Sequence, residues 1–129
     1  MPKVFRLSEQ YLIRAEARAN QKNYSGASKD LSDLRRARFQ GGNGSISVSE
    51  QNWLEIIEEE RVRELYMEGF RLQDLKRWHK GFERKPQEQS LTNGSSLKIE
   101  ADDVRFVWPI PKHELESPGS QIQPNESNK

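Results

Sequence analysis

The sequence predicts an all-α chain: tetratricopeptide-like helical hairpins followed by an irregular, proline-containing C-terminal segment. Three observations carry this. Apolar residues recur with a 3.6-residue period through about residue 79. The first two periodic stretches are joined by a short polar link, Asn20-Gln21-Lys22-Asn23. Beyond Lys80 the period lapses, and prolines appear at 86, 109, 111, 118 and 124.

The first helix is expected over about 7–21. Leu7, Tyr11, Leu12, Ala15 and Ala19 fall on one face, with Ser8 as a natural N-cap. The second, about 24–39, carries Ala27, Leu31, Leu34 and Phe39, and so brief a connection makes the pair antiparallel. Tyr11, Ala15 and Ala27 have the large-small-small spacing of a tetratricopeptide hairpin, in which small residues let two helix backbones approach. Gly41, Gly42 and Gly44 end the hairpin. Ser49 or Glu50 then caps a third helix, about 50–67, through Trp53, Leu54, Ile57, Leu65 and Tyr66. Gly69 breaks it, and a shorter fourth helix, about 70–79, carries Phe70, Leu72, Leu75 and Trp78. Asn93-Gly94 is a turn dipeptide. Residues 104–110 read as extended, with Pro109 and Pro111 confining any strand to an edge. One helical region is thus expected over 1–116, and a flexible or draped Ser/Pro/Asn/Gln tail over 117–129.

Leu, Ile, Val and Phe make up 28 of 129 residues, just above the content at which chains fail to bury a core. A thin core is expected. The formal charge of +1, from 21 basic and 20 acidic side chains, gives no field to draw a polyanion, so nucleic acid is not an expected partner. No cysteine is present, which removes disulfides, thiolate nucleophiles and cysteine metal ligands. No run approaches a membrane-spanning helix, and no signal peptide opens the chain. Phe5-Arg6-Leu7 already reads as the lead-in to a helix, so a piece of a longer protein is expected, with any anchor or export signal upstream.

The densest pattern runs from Glu60 to Trp78: Glu60-Arg61, Glu64-Leu65, Glu68-Gly69, Arg71, Asp74-Leu75 and Arg77-Trp78. It resembles the C-terminal signature of the SusD/RagB family. The upstream Tyr11-Leu12-Ile13-Arg14-Ala15-Glu16-Ala17 is similar to the family's preceding helix. Trp108-Pro109-Ile110-Pro111 with Glu114-Leu115 is similar to its Phe-Pro-Ile-Pro ending. Departures are Val62 in place of a second arginine, Ser117-Pro118 for Asn-Pro, and Gln123-Pro124-Asn125 for the closing Gln-Asn-Pro-Gly-Tyr. The resemblance implies a non-catalytic, carbohydrate- or nutrient-binding lipoprotein on the outer membrane of Bacteroidetes-type bacteria. Such proteins face outward, take up polysaccharide fragments with a SusC-like TonB-dependent transporter as partner, and are several times longer than this chain. Lipid anchoring at the cell outer membrane would belong to the full-length parent. The alternative reading is a generic tetratricopeptide-like protein–protein interaction adaptor, for which the Glu60–Trp78 pattern has no use.

The residues themselves favour bland roles. Glu60, Glu64 and Glu68 follow one another at i, i+4 spacing, interleaved with arginines, which suits ion pairs rather than the opposed carboxylates of a glycosidase. No catalytic residue is expected. His79 and His113 stand 34 apart without further ligands, so no metal site and no cofactor are expected. The glycines at 41, 42 and 44 precede no Lys-Ser or Lys-Thr, unlike a phosphate loop. Trp53, Trp78 and Trp108 each suit a packing role as well as a sugar platform, and Trp108 is expected to pack back. The signature residues are expected to serve the fold, with Glu60, Arg61, Arg71 and Asp74 gathered at the joint around Gly69, Arg61 and Arg71 mostly buried, and Arg61–Asp74 and Glu60–Arg71 as cross-helix pairs.

Overall fold

A computed structural model describes residues 6–39, 41, 43–85 and 97–128. The chain forms two compact units, Met1–Gly69 and Phe70–Lys129. It is mostly helical, as the sequence predicts.

In the first unit α1 spans Leu7–Asn20, α2 Tyr24–Arg38 and α3 Trp53–Glu64. Arg6, not Ser8, holds the N-cap position of α1; Ser8 lies inside the first turn and is buried. The α1–α2 link is short because its turn closes on itself. Lys22 adopts a left-handed φ of 61°, and the Asn23 amide donates to the Arg18 carbonyl at 2.8 Å. Asn23 then caps α2, its Oδ1 accepting from the Gly26 amide at 3.0 Å.

The two helices run antiparallel, as polar contacts show: Arg14 reaches Asp30, while Arg18, further along α1, reaches the Gly26 carbonyl, earlier on α2. Ala15, Ala19 and Ala27 are buried between them beside Leu12 and Leu31, so the small residues sit where the backbones approach. α3 packs on α1 with Ile57 fully buried, and Arg6 at the start of α1 meets Glu64 and Glu68 at the far end of α3. A fully buried Leu or Ile contributes about 1.5–3 kcal/mol, so this small core rests on few side chains.

α3 begins three residues later than the predicted Glu50. Residues 50–52 form a turn, the Ser49 carbonyl accepts from Trp53, and the Asn52 side chain accepts from the Ser49 amide at 2.7 Å. The expected cap at Ser49 does not form: Asn52 holds the N-cap position, and its side chain bonds back to Ser49 rather than to an amide of α3. Between α2 and α3 the chain lies along α2. The Val48 amide donates to Ser28 Oγ at 2.8 Å and the Ile46 amide to Ser32 Oγ at 3.1 Å. Serines one helical turn apart thus satisfy alternate amides of an extended segment, which buries Val48. α3 stops at Glu64, before the predicted 67; Met67 and Gly69 take φ of 61° and 84°.

In the second unit α4 spans Arg71–Arg77. It ends as α1 does, on a left-handed residue, His79 at φ 52°, with the Lys80 amide donating to the Leu75 carbonyl. Two short antiparallel strands follow, β1 Phe82–Glu83 and β2 Lys98–Ile99, pairing Phe82 with Ile99 and Glu83 with Lys98. The sequence period gave no sign of them. Gly81 lies against β2, where any Cβ would come within 2.1 Å of the Ile99 carbonyl oxygen. The Asn93-Gly94 turn lies outside the described residues.

The stretch expected to be extended from 104 opens as a 3-10 turn, Val104–Phe106. Asp103 caps it through Oδ1 to the Arg105 amide at 2.9 Å, and Phe106 is buried. A four-residue α5, Lys112–Leu115, follows Pro111. Residues 125–128 return to this segment. Ser127 Oγ donates to the Val104 and Val107 carbonyls, Asn125 donates to the Trp108 carbonyl, and the Asn128 amide group brackets the Ile110 backbone.

Candidate functional site

The Glu60–Trp78 block is laid over the end of α3, the turn through Gly69, and α4. On α3, Glu60, Arg61 and Leu65 are buried. Glu60 accepts from Arg35 of α2 and from Arg63, one turn on, at 2.6 Å. Glu64 is gripped by a forked pair from Arg38 of α2, Nε to Oε2 at 2.9 Å and Nη2 to Oε1 at 2.5 Å. Arg6 donates to the Glu64 backbone carbonyl at 2.6 Å and pairs with Glu68 at 2.7 Å. Arg35 and Arg38 on α2 thus face Glu60 and Glu64 on α3, a two-rung ladder between helices.

For Glu60 the partners differ from the Arg71 expected across the joint at Gly69. Glu60 draws its guanidinium groups from Arg35 and Arg63, within its own unit. Of the two arginines expected to be mostly buried, Arg61 is buried and Arg71 is exposed. On α4, Asp74 and Leu75 are buried, and Asp74 accepts from Arg77 at 3.0 Å. The Arg77 guanidinium also lies 4.8 Å from the centre of the Trp78 ring.

A second cluster holds the hairpin. Asp30 is only 1% exposed, and it accepts from Arg14 through both oxygens, at 2.8 and 3.1 Å, and pairs with Arg18 at 2.7 Å. No linear pattern marks this cluster as a unit. Its signal was Arg14 and Arg18 at i, i+4, which states a shared face but not the partner opposite.

Three carboxyls, Glu64, Asp103 and Asp33, are held below their ordinary values. A general acid needs its pKa raised. The forked Arg38 pair, outweighing the opposing effect of burial, instead holds the Glu64 carboxyl below its ordinary value. Asp103 is held at about 2, chiefly by its side-chain bonds with Arg105. Lys29 and Arg36 lower Asp33 in the same sense, the Lys29 hydrogen bond being the largest cause. Among the described residues no group of His, Asp or Glu could hold a metal ion. His79 instead bonds Asp102 at 2.8 Å, and His113 lies 3.1 Å from Glu114.

The sequence model of the SusD family matches residues 2–126, nearly the whole chain. The chain belongs to the SusD family. No curated protein and no solved structure gives a match. SusD-family proteins are nutrient-binding, non-catalytic proteins associated with the outer-membrane surface. No described helix of this SusD-family chain is long and apolar enough to cross a membrane.

The tryptophans of the SusD-family chain differ in setting. Trp53 and Trp78 are partly covered, whereas Trp108, expected to pack back, is 78% exposed. Only its backbone is tied down, by Asn125. A separate groove of about 390 Å³ opens on the second unit between α4 and β1, lined by Arg71, Leu72, Leu75, Phe82, Glu83 and Arg84. Nothing in the sequence period marks it, because Arg71 and Arg84 meet there only through the turn after α4.

Proposed function

We propose that this chain is the C-terminal helical part of a nutrient-capture protein that binds glycan or another nutrient outside the cell and hands it to a SusC-like TonB-dependent transporter, without transforming it. The family match over residues 2–126 carries the reading. The bonding of the signature supports a division of labour in which the block from Glu60 to Trp78 serves the fold. Glu60, Glu64, Glu68 and Asp74 each spend their charge on an arginine. Lipid anchoring at the outward face of the outer membrane, and an oligosaccharide as the nutrient, belong to the same proposal.

The test has two arms. A glycan array is probed with this chain and with the longest reading frame that contains it, and outer-membrane extracts are tested for co-purification with a SusC-like TonB-dependent transporter. Saccharide binding with transporter co-purification is expected. Retention of neither saccharide nor transporter by either form overturns the reading. Steady release of reducing ends from bound polysaccharide, lost on Glu60→Gln, overturns its non-catalytic part.

A further inference from the structure

The geometry points to the groove between α4 and β1 as a binding site for a carboxylate-bearing saccharide, a uronic acid unit, with Arg84 as the residue that grips the carboxylate. This rests on the proposed nutrient-binding function and names a ligand class for it.

The whole chain carries a net charge of only +1. Residues 71–85 nevertheless hold six Lys and Arg against two Asp and Glu, with Trp78 and Phe82 interleaved. Of the two acids, Asp74 is buried and already accepts from Arg77. The other, Glu83, lies opposite Lys98 in the strand pair, although Lys98 itself pairs with Glu100 at 2.7 Å. The groove lining itself carries two arginines, Arg71 and Arg84, against one carboxylate, Glu83, a small local excess that favours an anion.

Shape narrows the ligand. About 390 Å³ lies within the range of small-molecule pockets, roughly 300–1,000 Å³. Leu72, Leu75 and Phe82 line it with partly or fully buried apolar surface, and Arg71 and Arg84 stand exposed beside them. The Arg84 guanidinium lies 5.4 Å from the centre of the Phe82 ring. Stacking on a ring face orients the guanidinium plane and leaves its N–H edges to donate. A planar carboxylate is the acceptor that such a fork matches with two parallel bonds. A uronic acid carries its carboxylate directly on a ring whose C–H face is apolar, so one residue of ligand meets both the fork and the apolar wall. A neutral sugar leaves the fork unused, and a bare inorganic anion leaves the wall unused.

The backbone holds this arrangement in place. The Arg84 amide donates to the Leu97 carbonyl at 2.8 Å, fixing the residue at the end of the β1–β2 pair. Gly81 sets the close approach of the two strands.

The test uses the 129-residue chain and three saccharide probes, trigalacturonate, its methyl ester and neutral galactotriose, with tripolyphosphate as an anion control. Binding is followed by calorimetry and by NMR shifts of the Phe82 and Leu72 signals. Trigalacturonate is expected to bind about tenfold or more tighter than the methyl ester, since the ester loses a charge-assisted fork. Arg84→Gln should remove that preference and leave galactotriose binding unchanged; Arg84→Lys should keep part of it, retaining charge without the fork. Circular dichroism checks that both variants fold, as expected for an exposed side chain. Equal binding of acid and ester, an unaffected Arg84→Gln variant, or shifts confined to residues outside the groove overturn the proposal. So does tripolyphosphate binding as tightly as trigalacturonate, which marks a general anion patch. If galactotriose binds and trigalacturonate gains nothing, the groove assignment fails while the nutrient-binding reading survives. If none of the three binds, the groove assignment fails, and the nutrient-binding reading is still judged separately by the array and the transporter.

Discussion

Replacing Glu64 by Gln isolates what the signature charges do. Gln keeps the side chain's shape and one acceptor oxygen, so the change removes the charge and one arm of the Arg38 fork. Stranding a partner inside a core costs roughly 3–5 kcal/mol, whereas an exposed pair is worth about 0–1 kcal/mol. Glu64 is 10% exposed at its side chain and Arg38 is 51% exposed, so the guanidinium freed by the mutation is rehydrated in part. The expected cost lies between the limits, about 1–2 kcal/mol at neutral pH, or about 4–8 °C in Tm for a chain of this size. Glu59→Gln is the control, because its pair with Arg63 has both side chains more than half exposed.

The pH dependence has a definite sign. The folded-state pKa of Glu64 lies below its ordinary value of 4.5. Its contribution is therefore fully present above the unfolded-state pKa and is lost as pH falls through the folded one. The stability gap between the parent chain and Glu64→Gln should be widest near pH 7 and close below about 4.5. Urea unfolding at a series of pH values measures it. A Glu64→Gln variant as stable as Glu59→Gln at pH 7, or a gap that persists unchanged into acid, refutes the structural reading of Glu64.

Other expectations follow from particular contacts. Ala15→Leu and Ala27→Leu each place a large side chain where the parent residue is fully buried between α1 and α2, and each should cost about 1–3 kcal/mol in urea unfolding; no loss in either would mean the helices do not cross there. Gly81→Ala puts a Cβ onto the Ile99 carbonyl, so the amide of Arg84, bonded to Leu97, should lose its hydrogen-exchange protection while α1 and α2 amides keep theirs. Carboxyl NMR should show Asp103 titrating near 2, returning toward 3.8 on Arg105→Gln; an unchanged midpoint would break that assignment. Ser28→Ala removes the acceptor of the Val48 amide and should raise exchange at Val48 more than at Leu31.

The sequence by itself determined the helices and their order, because each depends on neighbours within a turn or two. The 3.6-residue period placed α1 and α2 within a residue of their observed ends, and alanine spacing located their contact. The family block likewise stood out, since its spacing is a linear pattern. Local capping was harder: Ser49 suits the start of a helix, yet α3 begins at Trp53 without a side-chain bond from its N-cap residue, Asn52. Partner choice among charges belonged to tertiary structure. Glu64 bonds Arg38 on α2, and Glu60 bonds Arg35 on α2 as well as its own neighbour Arg63, because helix rotation sets which guanidinium stands opposite, and the packing of Leu12, Leu31 and Ile57 sets that rotation. The exposure of Trp108 and the meeting of Arg71, Phe82 and Arg84 in one groove were decided in the same way: a side chain's chemistry is written in the sequence, while its surroundings depend on how distant segments fold together.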